Sequence, residues 1–151
     1  MAAVAFYESI GIGPWQQYPP LSEYVDLDVP NAEAFAQMLY RFVDLENVQL
    51  QLCQPPLLDC PQRRFLDSVG EGVFHLGFES GVDEALTMAA ALGIETLMRG
   101  QRPDGSGFVY FDTREGAGVV LETRRSPRPK PSTPPPPFVD EVTAAGAGEG
   151  A

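Results

Sequence analysis

An α+β fold is what this sequence predicts, and three observations predict it. The segment from Val73 to Glu79 alternates its side chains as a strand does. Residues 83–92 have the acidic first turn and the following glycine of a helix, and three further strand-like runs come after them, giving the order β-α-β-β-β. From Arg125 onward the composition changes to a run of alternating and then consecutive prolines and an Ala/Gly-rich end, which marks 125–151 as a disordered tail that cannot recover the entropy of ordering itself. The four prolines 134–137 favour polyproline II, and a solvated spacer is the expected role. At 151 residues the chain is long enough for one domain with a sizeable core.

Taken in order, the chain opens with Ala2–Ile10, which reads as the last turns of a helix, with Gly11 as a left-handed cap and Pro14 preventing continuation. Tyr24–Asp28 supplies β-formers for a strand that Pro30-Asn31 closes. Residues 35–44 suit a helical face about as well as a buried strand. The strand is preferred, because Val48–Leu52 alternates strictly and Glu46-Asn47 between the two segments then makes a hairpin turn. That alternation puts Gln49, Gln51 and Cys53 on one face and Val48, Leu50 and Leu52 on the other. A short helix is expected over 62–68, then a strand over 73–79, a helix over 83–92 ending at Gly93, a strand over 94–99, a loop over 100–107, and strands over 108–112 and 118–123.

In the strand 73–79, Phe74, Leu76 and Phe78 share one face, and the following helix is expected to cover them. His75, Gly77 and Glu79 then face away from it. Glu122 is expected on the side of His75, because a carboxylate is costly to bury against an apolar helix.

Composition narrows the function classes. A formal net charge of −11 argues against a phosphate-tracking surface, so nucleic acid is an unexpected partner. The apolar runs are far shorter than the roughly 20 residues needed to cross a bilayer, and the start lacks the basic residues of a signal peptide, so no membrane association and a cytoplasmic location are expected. Cys53 and Cys60 form no C-x-x-C pair and read as reduced thiols.

Three stretches carry a family likeness: Gly70-Glu-Gly-Val-Phe-His-Leu-Gly-Phe-Glu79, the helix from Asp83 to Ile94, and Phe108-Val-Tyr-Phe-Asp-Thr113 leading into Gly116-Ala-Gly-Val-Val-Leu-Glu122. Together they resemble the vicinal oxygen chelate superfamily, which includes glyoxalase I, methylmalonyl-CoA epimerase, extradiol dioxygenases and bleomycin-resistance proteins. The likeness spans about residues 2–124, with Ala5–Trp15 and Val48–Pro55 as its first-half matches. It implies two βαβββ modules forming a cup-shaped mixed sheet. The domain covers 1–124, with the first module over 1–55 lacking its N-terminal strand and the second over 70–124.

The resemblance also implies a divalent-metal site. His75 stands at the position of the second-module histidine, Glu122 at that of its terminal glutamate, and Gln51 at a first-module position that is Gln or Glu in the epimerase and glyoxalase branches. A fourth ligand would come from a strand upstream of the Phe6-Tyr-Glu-Ser-Ile-Gly11 match. Upstream residues, a degenerate site or a strand from another chain are the three arrangements open at this point. One imidazole, one carboxylate and one amide oxygen suit Mg²⁺, Mn²⁺, Co²⁺, Ni²⁺, Fe²⁺ or Zn²⁺ with water completing the shell.

Taken alone, His75 reads as a hydrogen-bonded strand histidine and Glu122 as a solvated or Arg-paired edge carboxylate, with Arg124 as the candidate partner. With the resemblance, the expected function is a metal-dependent enzyme of the glyoxalase or methylmalonyl-CoA epimerase type, a lyase or isomerase. It would move a proton next to a carbonyl or thioester through a metal-stabilised enolate, with Glu122 as the catalytic base. Phe108 and Tyr110 are expected to wall the substrate cup, and Arg102, with Arg99, to meet an anionic small-molecule substrate. A homodimer is expected, since a truncated first module would expose a sheet edge. The alternatives are a metal-free binding protein, for which Trp15, Tyr18 and Tyr24 supply stacking surface, and a ring-cleaving dioxygenase relative, which a single histidine disfavours.

Overall fold

The computed structural model of the chain describes residues 2–18 and 24–126, and the tail expected over 125–151 lies almost wholly outside them. The elements in order are α1 (Ala2–Ser9), β1 (Gln16–Gln17), β2 (Asp26–Asp28), α2 (Ala32–Ala36), β3 (Leu39–Asp44), β4 (Gln49–Gln54), α3 (Pro61–Val69), β5 (His75–Glu79), α4 (Val82–Ala91), β6 (Thr96–Gln101), β7 (Gly107–Phe111), α5 (Arg114–Ala117) and β8 (Val120–Arg125). They form two sheets.

In the second sheet the order is β2-β6-β7-β8-β5. Strands β6, β7 and β8 make an antiparallel meander, and β5 lies parallel against β8 with Gly77 opposite Glu122. The first sheet, β1-β3-β4, repeats the meander, Phe42 standing opposite Gln51 and Tyr40 opposite Cys53. Where β8 has β5, however, β4 carries no partner strand among the described residues. This is the α+β arrangement of two βαβββ modules, the first short of one strand.

Local chemistry explains the boundaries. The Asn31 side chain accepts from the Ala34 N–H at 3.0 Å and donates to the Asp59 carbonyl at 3.0 Å, which starts α2 and ties it to a distant segment. Residues 35–44 are therefore not one strand: Asn31 caps a helical turn that buries Ala34 and Phe35, and the strand begins only at Leu39. The hairpin over Glu46-Asn47 forms as expected, closed by Leu45 N–H donating to the Val48 carbonyl at 2.8 Å.

Further corrections concern the second module. The loop expected over 100–107 spans only 102–106, since Gly100 and Gln101 still pair with Phe108 and Gly107. A Cβ on Gly107 would meet the Gly100 carbonyl oxygen at 2.4 Å, so only glycine lets the strands approach this closely. The short α5, ended by Gly118 at φ 72°, was not expected from the sequence. Helix α4 does not cover Leu76 and Phe78. It packs Ala85, Leu86 and Ala89 on Val109 and Phe111 of β7, and β5 is an edge strand beyond its reach. Leu76 and Phe78 are accordingly 48% and 54% exposed. Phe74 turns instead to Phe65 and Tyr110, on the opposite face.

Three buried clusters form the core among the described residues, one of them Ala34, Met38 and Cys60 beneath the first sheet. The outer core lies between α4 and β7, with Val109 fully buried. The inner core, Phe35, Met98, Phe108, Tyr110 and Val120, lines the concave face of the second sheet. Among the described residues, no helix is long and apolar enough to cross a membrane.

Candidate functional site

Strand geometry brings the expected pair together. Because β5 and β8 run parallel with His75 beside Val120 and Gly77 beside Glu122, the imidazole and the carboxylate lean toward each other on the concave face. Nε2 of His75 lies 3.4 Å from Oε2 of Glu122, and both side chains are largely buried. The Tyr110 hydroxyl is also 3.4 Å from His75 Nε2, its ring meeting the imidazole edge-on at 4.9 Å. Gly77 makes the space: a Cβ there would meet Oε2 of Glu122 at 2.7 Å.

Burial controls the protonation of this pair. It pushes the Glu122 carboxyl up from 4.5 to about 7, with the Arg124 charge and a Tyr110 hydrogen bond acting in the opposite direction. For His75, burial and then the nearby Arg124 charge push the imidazole down from 6.5 to about 4. Near neutral pH the ring is therefore uncharged, and Glu122 divides between its acid and its base form. A carboxyl poised in this way can both take and return a proton.

The pair sits at a cleft between the two sheets that opens to solvent. Glu122, Tyr110, Phe108, Arg102 and Gln51 all line it, so five of the side chains expected at the cup reach one space, with His75 behind Glu122 and Tyr110. Gln51 comes from the first sheet, its amide nitrogen donating to Gln49 at 2.7 Å. Tyr18 and Tyr24 line the cavity as expected of them. Trp15 does not: its indole N–H donates to the Ile12 carbonyl at 3.0 Å and its ring packs on Tyr7. Arg99 is likewise outside, 3.8 Å from Asp28.

Sequence reasoning missed Tyr40, Phe35, Met98 and a structural role for Arg124. Arg124 does not take Glu122 as its contact partner; it donates to the Tyr18 hydroxyl at 2.9 Å and lies 3.6 Å from Glu79. The signal for Tyr40 was its place two residues from Phe42 on an alternating strand, which set its face but not what stood across from it. Arg102 lays its guanidinium over the Tyr24 ring, 4.4 Å from the centroid.

Among the described residues no three His, Cys, Asp or Glu side chains gather at one point. A metal ion at this site would take the His75 imidazole, the Glu122 carboxylate and the Gln51 amide oxygen. The donors fit a divalent cation in kind, because burial holds His75 neutral and leaves the Glu122 carboxyl, raised to about 7, partly ionised near neutral pH.

No family model matches the chain, and no curated protein matches it by sequence. Its fold is shared with solved methylmalonyl-CoA epimerases, which are vicinal oxygen chelate proteins. The enzyme from Mycobacterium tuberculosis is 20% identical, over 85% of this chain and 81% of that one, with a TM-score of 0.54. The epimerase from Streptomyces coelicolor, in complex with 2-nitronate-propionyl-CoA, is 22% identical over 84% and 89%, with a TM-score of 0.57. A methylmalonyl-CoA epimerase in complex with methylmalonyl-CoA and NH4+ is also 22% identical, over 83% and 85%, at 0.57. At these identities the likeness is one of fold.

Proposed function

We propose that this vicinal oxygen chelate fold carries a metal-dependent enzyme of the glyoxalase or methylmalonyl-CoA epimerase type, moving a proton on a carbon next to a carbonyl or thioester. The observation that carries the reading is the His75–Glu122 contact at 3.4 Å beside a cavity between two sheets. Glu122 is the group that takes and returns the proton, its carboxyl raised to about 7 by burial. Tyr110 orients both members of the pair, and Gly77 leaves the carboxylate room to move. His75, Glu122 and Gln51 would hold a divalent ion, which when bound supplies positive charge against the substrate oxygen that becomes negative as the proton leaves. The solved epimerases, one of them bound to methylmalonyl-CoA, support the reaction class.

Metal analysis of the purified chain, with Mn²⁺ or Co²⁺ titration of wild type, His75→Ala and Glu122→Ala, tests the site. Binding by the wild type that both variants lose supports it. A wild type that binds none of these ions rejects it in favour of a metal-free binding protein. Exchange of the α-proton of methylmalonyl-CoA in D₂O, abolished by Glu122→Gln, tests the chemistry. The outer edge of β4, open among the described residues, and the exposed Leu76 and Phe78 support self-association as a homodimer.

A further inference from the structure

Helix α4 leaves part of the convex face of the second sheet uncovered. Alternation along β5 sends His75 and Gly77 to the cup, so Leu76 and Phe78 point outward, Leu76 beside Leu121 of β8. Helix α4 lies over β7 and has two unlike flanks. Asp83 and Leu86 turn toward β6, where they line a cleft with Arg99 and Gly100. The opposite flank, which looks toward β5, carries Met88 and Leu92 one turn apart, and these are 59% and 72% exposed. Leu76, Phe78, Met88 and Leu92 thus border one apolar groove on the outside of the molecule, away from the cup. Large apolar side chains grouped in this way mark an interaction surface, which singly scattered ones do not.

The chain itself supplies a segment that suits the groove. The Ser126 N–H donates to Oε2 of Glu79 at 3.0 Å, so the chain leaves the second sheet at one end of the groove, next to Phe78. Residues 127–151 lie outside the described residues, and their sequence holds three large apolar side chains, Phe138, Val139 and Val142. Phe138 and Val142 stand at helical spacing, and Ala145 continues that face. The eleven residues 127–137 before them include seven prolines. A stretch of this composition is a semi-rigid spacer of about 34 Å, at about 3.1 Å per residue. The five residues of β5 span only about 16 Å. The spacer therefore carries Phe138 past the groove of its own chain, which starts beside the exit, and out to that of a second copy. It also bears Arg128 and Lys130 with no acidic residue, which offsets the repulsion between two chains of net charge −11 each.

We infer that the outer groove between β5 and α4 receives residues 138–142 of a second copy, in a reciprocal exchange of tails about a two-fold axis. Phe138 and Val142 meet Leu76, Phe78, Met88 and Leu92, an apolar helix face laid in an apolar groove. The inference rests on the reading of this face as self-associating, and it goes further by naming the occupant. The tail then clasps the dimer from outside and leaves the cup free for substrate.

The test is sedimentation velocity of the full-length chain over a concentration series, with Phe138→Asp on the segment, Met88→Lys in the groove and Ala147→Asp beyond the segment. Wild type and Ala147→Asp are expected to dimerise alike. Phe138→Asp and Met88→Lys are expected to weaken the dimer roughly tenfold or more, with circular dichroism verifying that each variant is folded. A synthetic peptide of residues 137–146 in excess is expected to dissociate the wild-type dimer. In ¹H–¹⁵N NMR of Phe138→Asp, the same peptide is expected to shift the amides of residues 76–78 and 88–92. A dimer that neither Phe138→Asp nor the peptide weakens overturns the inference and leaves a homodimer built on another surface. A wild type that is monomeric throughout overturns both, and amides of 76–78 that then differ between wild type and Phe138→Asp would assign the groove to the chain's own tail.

Discussion

His75 and Glu122 titrate against each other's trend, and this gives the site a pH signature in the metal-free protein. Glu122 is raised from 4.5 to about 7, so between those values the folded chain keeps a proton that the unfolded chain has released, and stability falls as pH rises. His75 is lowered from 6.5 to about 4, so there the unfolded chain keeps the extra proton and stability rises with pH. Over the shared window the folded and unfolded pairs each carry one proton, and the two slopes cancel. Urea denaturation in chelator should therefore show a flat contribution in the wild type. His75→Ala should expose a loss on the order of 3 kcal/mol as pH rises toward 7, and Glu122→Gln a comparable gain as pH rises from about 4. A second prediction is steric. Gly77→Ala places a methyl 2.7 Å from Oε2 of Glu122 and should displace the carboxylate, lowering Mn²⁺ or Co²⁺ affinity roughly 10–100-fold in a titration while the far-ultraviolet spectrum stays unchanged. His75 and Glu122 were legible in the sequence because each stands in a distinctive motif on an alternating strand. Arg124 was misread because alternation places a side chain on a face but does not say that Tyr18 and Glu79 will be nearer than Glu122.

Edge position decides how an apolar strand residue behaves. Leu76 and Phe78 look like core in the sequence, and the β-α-β order puts a helix on their side of the sheet, yet α4 lies over Val109 and Phe111 and leaves them exposed. Leu76→Lys and Phe78→Lys are therefore expected to cost within about 0.5 kcal/mol in thermal denaturation of the monomer. They should also reduce self-association in sedimentation velocity, and a large loss of stability instead would mean that this face is covered. The helix-or-strand ambiguity over 35–44 has a similar root. Phe35 and Met38 fit a helical spacing and Tyr40 and Phe42 a strand spacing, so both periods are present in one run, and the Asn31 cap fixes where the first gives way to the second.

At the scale of the whole chain, the architecture was legible because the second module repeats a recognisable order of elements. What joins the modules was legible only in part: Gln51 and Tyr18 were expected at the cup and line it, whereas Tyr40 reaches the cavity through contacts that no local pattern encodes. Self-repulsion is also a property of the whole molecule. With a net charge of −11, raising ionic strength from about 0.01 M to about 0.15 M, which shortens the screening length from about 30 Å to about 8 Å, should raise the Tm by a few degrees in a salt series. The parallel seam between β5 and β8 carries a consequence for kinetics. The meander β6-β7-β8 and the hairpin β3-β4 close over short stretches of chain, whereas β5 must wait for β8, on the far side of two helices and two strands. The imidazole and the carboxylate therefore meet only when that last zipper shuts, and whatever occupies the space between them acts as a latch, read most directly as slowed hydrogen exchange along residues 75–79.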